Sequence, residues 1–147
     1  MADLPVTEDP QFSETLEEIT TKDRGAPDTF NPRYQKLLDN DNYLKKRIDR
    51  NDGEVGVVLT ADGWIGEEAP YSQTVVVEGV TENDKPFLFS MLEDGAPEDI
   101  YKAYTKAFGI IASGTGTTAD GTVTFKVYKK PEIDIRIGLK GVQSWEE

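Results

Sequence analysis

Two different spacings of apolar residues divide this chain. Between Asn31 and Arg50, Tyr34, Leu37, Leu44 and Ile48 fall on a 3-4-3-4 series whose middle place is held by Asp41. That spacing predicts one face of an α-helix, and sustained over two heptads it has the form of a coiled-coil seam with a single carboxylate at its centre. From Glu54 onward the period changes to two. Val55, Val57 and Leu59 alternate, then Val123, Phe125 and Val127, then Ile133, Ile135, Ile137 and Leu139. Alternation of this kind predicts strands wet on one face, hence antiparallel pairing. Residues 1–29 follow neither period.

Local signals sharpen each element. Asn31 is a good N-cap and Pro32 suits a first helical position, while Asn51-Asp52-Gly53 reads as the stop. A helix over Asn31 to Arg50 spans about 30 Å at 1.5 Å per residue. Phe30 lies one step before its seam. A polar residue in such a seam trades stability for register. The seam has two candidate partners, sister copies of the chain or the chain's own β domain, and two to three heptads are too few to hold a bundle unaided. The proline-punctuated segment before it (Pro5, Pro10, Pro27) reads as an extended arm, either free or draped over a neighbouring subunit. Within it Ser13 to Ile19 could form one turn of helix capped by Ser13.

In the second half, strands are expected at Val55 to Leu59, Thr74 to Val80 and Pro86 to Leu92. Ala96-Pro97-Glu98-Asp99 then opens a helix with acids in its first turn. Its buried face is expected to be Ile100, Ala103, Tyr104, Ala107 and Phe108, with Gly109 as its end. Ile110 to Ser113 reads as a strand, Gly114 to Gly121 as a long polar turn, and two further strands follow. The whole is an α+β chain. An extended N-terminal arm (1–30) and a coiled-coil-like oligomerisation helix (31–53) precede a mainly antiparallel β domain with one helix (54–147).

Composition narrows the chemistry. The 147 residues carry a net charge of −12, unevenly spread: eight acids against two bases in residues 1–31, but six bases against four acids in residues 32–53. So acidic a surface repels phosphate, which disfavours nucleic acid and anionic membrane as partners. No apolar run approaches the roughly 20 residues that a membrane-spanning helix requires. The N-terminus lacks the basic start and apolar stretch of a secretory signal, so synthesis in a cytoplasm without a signal peptide is expected.

The chain has no histidine and no cysteine. Zinc, haem, triad and thiol mechanisms therefore lack their usual parts. Gly114-Thr115-Gly116-Thr117-Thr118-Ala119 matches a dinucleotide fingerprint in letters, but the fingerprint needs a helix behind it and the sequel reads as a strand. Asp39 to Asn42 and Asp49 to Glu54 do not fit a calcium loop. No carboxylate pair stands out for glycoside cleavage. The expectation is a protein that is not an enzyme and holds no cofactor or metal. Trp64, Tyr71 and Trp145, near turns or the chain end, are candidate ligand or interface aromatics, although core or interface packing is the commoner job for such rings.

Two stretches carry a resemblance. Val57 to Trp64 (VVLTADGW) with Ala69 to Thr81 (APYSQTVVVEGVT) resembles a module that recurs in tail, baseplate and fibre proteins of phages and prophages of Gram-positive bacteria. Phe30 to Lys45 (FNPRYQKLLDNDNYLK) is similar to the short helix that precedes the fibre or tip domain in such proteins. The resemblance implies a structural role in a virion tail or phage-tail-like particle, commonly as a homotrimer among other tail or baseplate proteins. It transfers no functional residue. A receptor-binding tip that recognises host cell-surface carbohydrate through Trp64 and Tyr71 is the alternative expectation.

Overall fold

The computed structural model describes residues 2–142. The chain divides into two compact units, residues 1–49 and 50–147.

The first unit is the arm and most of helix α1 (Pro27–Asp52). The helix starts four residues before the expected Asn31 cap and takes Pro32 into its interior. Pro27 takes the place that suits a missing N–H, and the Thr29 N–H bonds back to Ala26 at 2.9 Å. Pro32 removes only one further bond, to the Asp28 carbonyl one turn behind it. The expected turn of helix at Ser13 to Ile19 does not form. The Ser13 N–H that would have started it donates instead to Asn40 Oδ1 at 2.7 Å. The arm climbs along α1 from Gln35, which holds the Pro5 carbonyl, to Lys46, which holds that of Glu8. It turns at buried Pro10 and descends past Tyr43 and Asn40 to Arg33, which bonds the Glu17 and Glu18 carbonyls.

Among the described residues the second unit holds, after the end of α1, two three-stranded antiparallel sheets and one further helix. Its strands are β1 (Glu54–Leu59), β2 (Tyr71–Val76), β3 (Phe87–Ser90), β4 (Thr115–Ala119), β5 (Thr122–Val127) and β6 (Ile135–Lys140); helix α2 is Glu98–Ala112. The sheet orders are β1-β6-β3 and β2-β5-β4. Register places Val57 opposite Ile137 and Gln73 opposite Phe125. Leu59, Val77, Val127, Ile137 and Val142 are fully enclosed. Chain direction changes after β1 through the short 3-10 turn Ala61–Gly63. There the buried Gln73 amide accepts from the Thr60 N–H and donates to the Thr60 carbonyl, both at 2.9 Å.

Three expected boundaries change. Ile110 to Ser113 is not a strand: α2 runs through Gly109 to Ala112, because Ile111 falls one turn beyond Ala107 and is buried with it. The inner face of α2 is Tyr104, Ala107 and Ile111, whereas Ile100 lies outside. Gly114 to Gly121 is not a long turn but strand β4 and a tight hairpin, with Gly121 at φ +80° where L side chains are strained. The strand expected at Thr74 to Val80 occurs earlier, at Tyr71–Val76. Val77 and Val80 are buried in the turn that follows, and the Val77 N–H bonds to the Gly121 carbonyl.

Candidate functional site

Helix α1 has two unlike sides. Its back is covered by the chain's own arm through polar contacts. Thr7 donates to Asp39 at 2.6 Å, and Asn40 grips both the N–H and the carbonyl of Ser13, at 2.7 and 2.9 Å. Phe12 packs against Tyr43 with ring centroids 5.6 Å apart. In helical projection Gln35, Asp39, Tyr43 and Lys46 lie opposite the 3-4-3-4 series, and Arg33 and Asn40 at one edge of it.

The series itself is bare. Tyr34 is 53% exposed, Leu37 48%, Leu44 46% and Ile48 58%. Asp41 is exposed between them. Phe30 stacks on Tyr34 at 6.3 Å and continues the stripe toward the N-terminal end of the helix. No residue of α1 is buried. All five residues singled out by spacing thus share one open face, about 20 Å long at 1.5 Å per residue. The contact of the arm with α1 had no signal in the sequence beyond the polar residues at the back of the helix.

The last turn of α1 enters the second unit at Arg50. Its guanidinium makes two bonds to the Asp84 carboxylate, one of 3.1 Å from Nε, and reaches the Gly79 carbonyl at 3.4 Å. The Thr81 N–H donates to the same carboxylate at 2.7 Å. Burial alone raises the Asp84 carboxyl, but the bonds from Arg50 and Thr81 outweigh it and hold the group below its ordinary value. A carboxylate so held is committed to its ion pair and is not poised to move a proton.

The candidate aromatics separate. Trp64 is 5% exposed and belongs to the core, not to the surface as a sugar-stacking ring would require. Among the described residues its indole Nε1 has no hydrogen-bond partner. Tyr71 is half-buried with the Lys130 ammonium 4.6 Å from its ring centroid. Trp145 lies outside the described residues. An open cleft of about 410 Å³ lies between the β3 end of one sheet and the β4 edge of the other. Leu88, Ile111, Val123, Phe125 and Leu139 line it, with threonines of β4 at its rim. The Gly114 to Ala119 run is strand β4 followed by strand β5, so no helix N-terminus faces it.

Among the described residues no helix is long and apolar enough to cross a membrane. In comparisons with known proteins, the chain matches no family model, no curated protein and no solved structure.

Proposed function

We propose that this protein is a self-associating structural subunit, a component of a phage tail or phage-tail-like particle at the baseplate or fibre. Copies join through α1 and each presents its β-rich domain. The observation that carries this reading is the bare stripe of Tyr34, Leu37, Leu44 and Ile48 on a helix whose opposite side is already occupied by the arm. A particle of tail type, and three copies as the favoured number, come from the likeness of Phe30 to Lys45 and Val57 to Thr81 to tail modules.

Energetics fit a subunit that assembles with help. The four apolar side chains are already about half covered, so completing their burial contributes roughly 1 kcal/mol each, or about 4 kcal/mol per chain. Association costs on the order of 4–15 kcal/mol in lost freedom, and Asp41 adds a desolvation cost. The isolated chain therefore associates weakly, and neighbouring tail or baseplate proteins raise the local concentration in the particle.

Sedimentation velocity over a wide range of concentration tests the reading. The expected result is a concentration-dependent oligomer that Leu37→Asp with Leu44→Asp converts to monomer without loss of β-sheet signal. A strict monomer at every concentration overturns it. The glycan-recognition alternative has no observation in its favour once Trp64 lies in the core; a glycan array would reveal binding that this reading does not expect.

A further inference from the structure

We infer that copies of α1 associate parallel and in register, with their Asp41 side chains at the same level of the seam. The inference rests on the self-association proposed above and adds the orientation of the partner.

The argument begins with Asp41. It is the one charged residue among the five seam positions, flanked by Leu37 and Leu44 and then by Tyr34 and Ile48. A shift of one heptad in a parallel pair would set its carboxylate against Tyr34 or Ile48 of the neighbour and leave it unpaired among apolar groups, a costly burial. Two arrangements gather the Asp41 carboxylates at one level of the seam, parallel in register or antiparallel centred on Asp41; the like charges repel there, and water admitted at that one level offsets the repulsion.

Charges beside the seam distinguish these two. In a parallel pair a residue just before one seam position faces the neighbour's residue five places later. For Arg47 that residue is Asp52, an attractive pair. The corresponding positions for Arg33 and Asn40 are Leu38 and Lys45, and neither sets like charges together. The centred antiparallel arrangement brings Arg33 of one helix toward Arg47 of the other, a repulsive pair. Among the described residues no ion pair engages Arg47 or Asp52, so both are free to act between copies; Arg47 rests 5.9 Å from the Tyr43 ring. Arg33 is held by the arm through Glu17 and Glu18 carbonyls. The charges available to choose an orientation are therefore Arg47 and Asp52, which follow Lys46, the residue of α1 that holds the Glu8 carbonyl of the arm.

The absence of native cysteine makes the test direct. Single variants Leu37→Cys and Leu44→Cys of the full chain are oxidised separately, and Tyr34→Cys is mixed with a mass-labelled Ile48→Cys. A parallel seam yields self-linked dimers of each single variant and no mixed Tyr34–Ile48 product. An antiparallel seam yields the mixed product and overturns the inference. Charge reversal gives an independent sign. Arg47→Glu weakens association at least threefold in a parallel pair, and adding Asp52→Lys restores it. Stronger association in Arg47→Glu also overturns the inference, since that is what relief of an Arg33–Arg47 clash would produce. If sedimentation shows no oligomer at all, the proposed function fails; if an oligomer forms with the wrong cross-links, only the orientation fails.

Discussion

Residues 1–49 and residues 50–147 solve the placing of apolar and polar groups in opposite ways. The second unit turns its alternating valines, isoleucines and leucines inward, so that both sheets and α2 share one core. The first unit does the reverse. It uses hydrogen bonds to lay an arm on the polar back of α1 and leaves the apolar stripe facing out. A core of the first kind is complete within one chain. A surface of the second kind leaves apolar groups in contact with water, which is why the two regions should answer differently to substitution.

The largest effect is expected where burial is total. Leu59→Ala, at a side chain with no exposure, should cost about 3 kcal/mol through lost transfer energy and a residual cavity. Urea denaturation followed by circular dichroism would measure it, and a loss near zero would show that the core is not the one described. By contrast Leu37→Ala should leave the midpoint of a dilute sample nearly unchanged.

Gly138→Ala comes next. A Cβ there would run into the Phe89 ring, so overpacking of about 1–3 kcal/mol is expected. Adding Phe89→Leu should recover most of the loss, and a strictly additive double variant would refute that contact. Tyr104→Phe should cost about 1–2 kcal/mol, because the hydroxyl accepts from the Met91 N–H at 2.8 Å and donates to the Arg136 carbonyl at 2.7 Å.

Acid behaviour sharpens the comparison further. Asp84 has a folded value below its ordinary 3.8, so its contribution to stability is present above that pH and is lost as pH falls through the folded value. Asp84→Asn should flatten the loss of stability of the wild type below about pH 4. An unchanged acid profile would mean that the ion pair with Arg50 contributes nothing. The smallest effect is Asn40→Ala, about 1 kcal/mol on the arm alone, read as faster proteolysis between Pro10 and Glu18 with the urea midpoint unmoved.

Much of the β unit was legible because alternation reports burial directly. Val123, Phe125 and Val127 point inward as their spacing predicts, as do Ile135, Ile137 and Leu139. Strand β4 was not legible, since Thr115-Gly116-Thr117-Thr118-Ala119 holds no apolar alternation and owes its place to pairing with β5. The end of α2 was misread because Ile110 and Ile111 favour strands by type, whereas packing of Ile111 beside Ala107 decided the outcome. That Tyr34, Leu37, Asp41, Leu44 and Ile48 share one helix face was legible from spacing alone. The course of the arm was not, because Asn40 recognises the backbone of Ser13, and backbone recognition leaves no periodic trace. The turn-rich surroundings of Trp64 left a surface role and a packing role both open, and its side chain takes the second, reaching inward beside the Ala61–Gly63 turn.

The grip of Gln73 on Thr60 has a bearing on how this sequence can drift. Gln73 touches only main-chain atoms of its partner, one N–H and one carbonyl, and so is indifferent to which side chain position 60 carries. Position 73 enjoys no such freedom: leucine would strand both backbone groups, and glutamate would oppose a carbonyl with another acceptor. Natural variants should accordingly differ widely at position 60, with proline excluded because it lacks the N–H that donates to Gln73, while holding glutamine at 73, an asymmetry between two residues that meet in space.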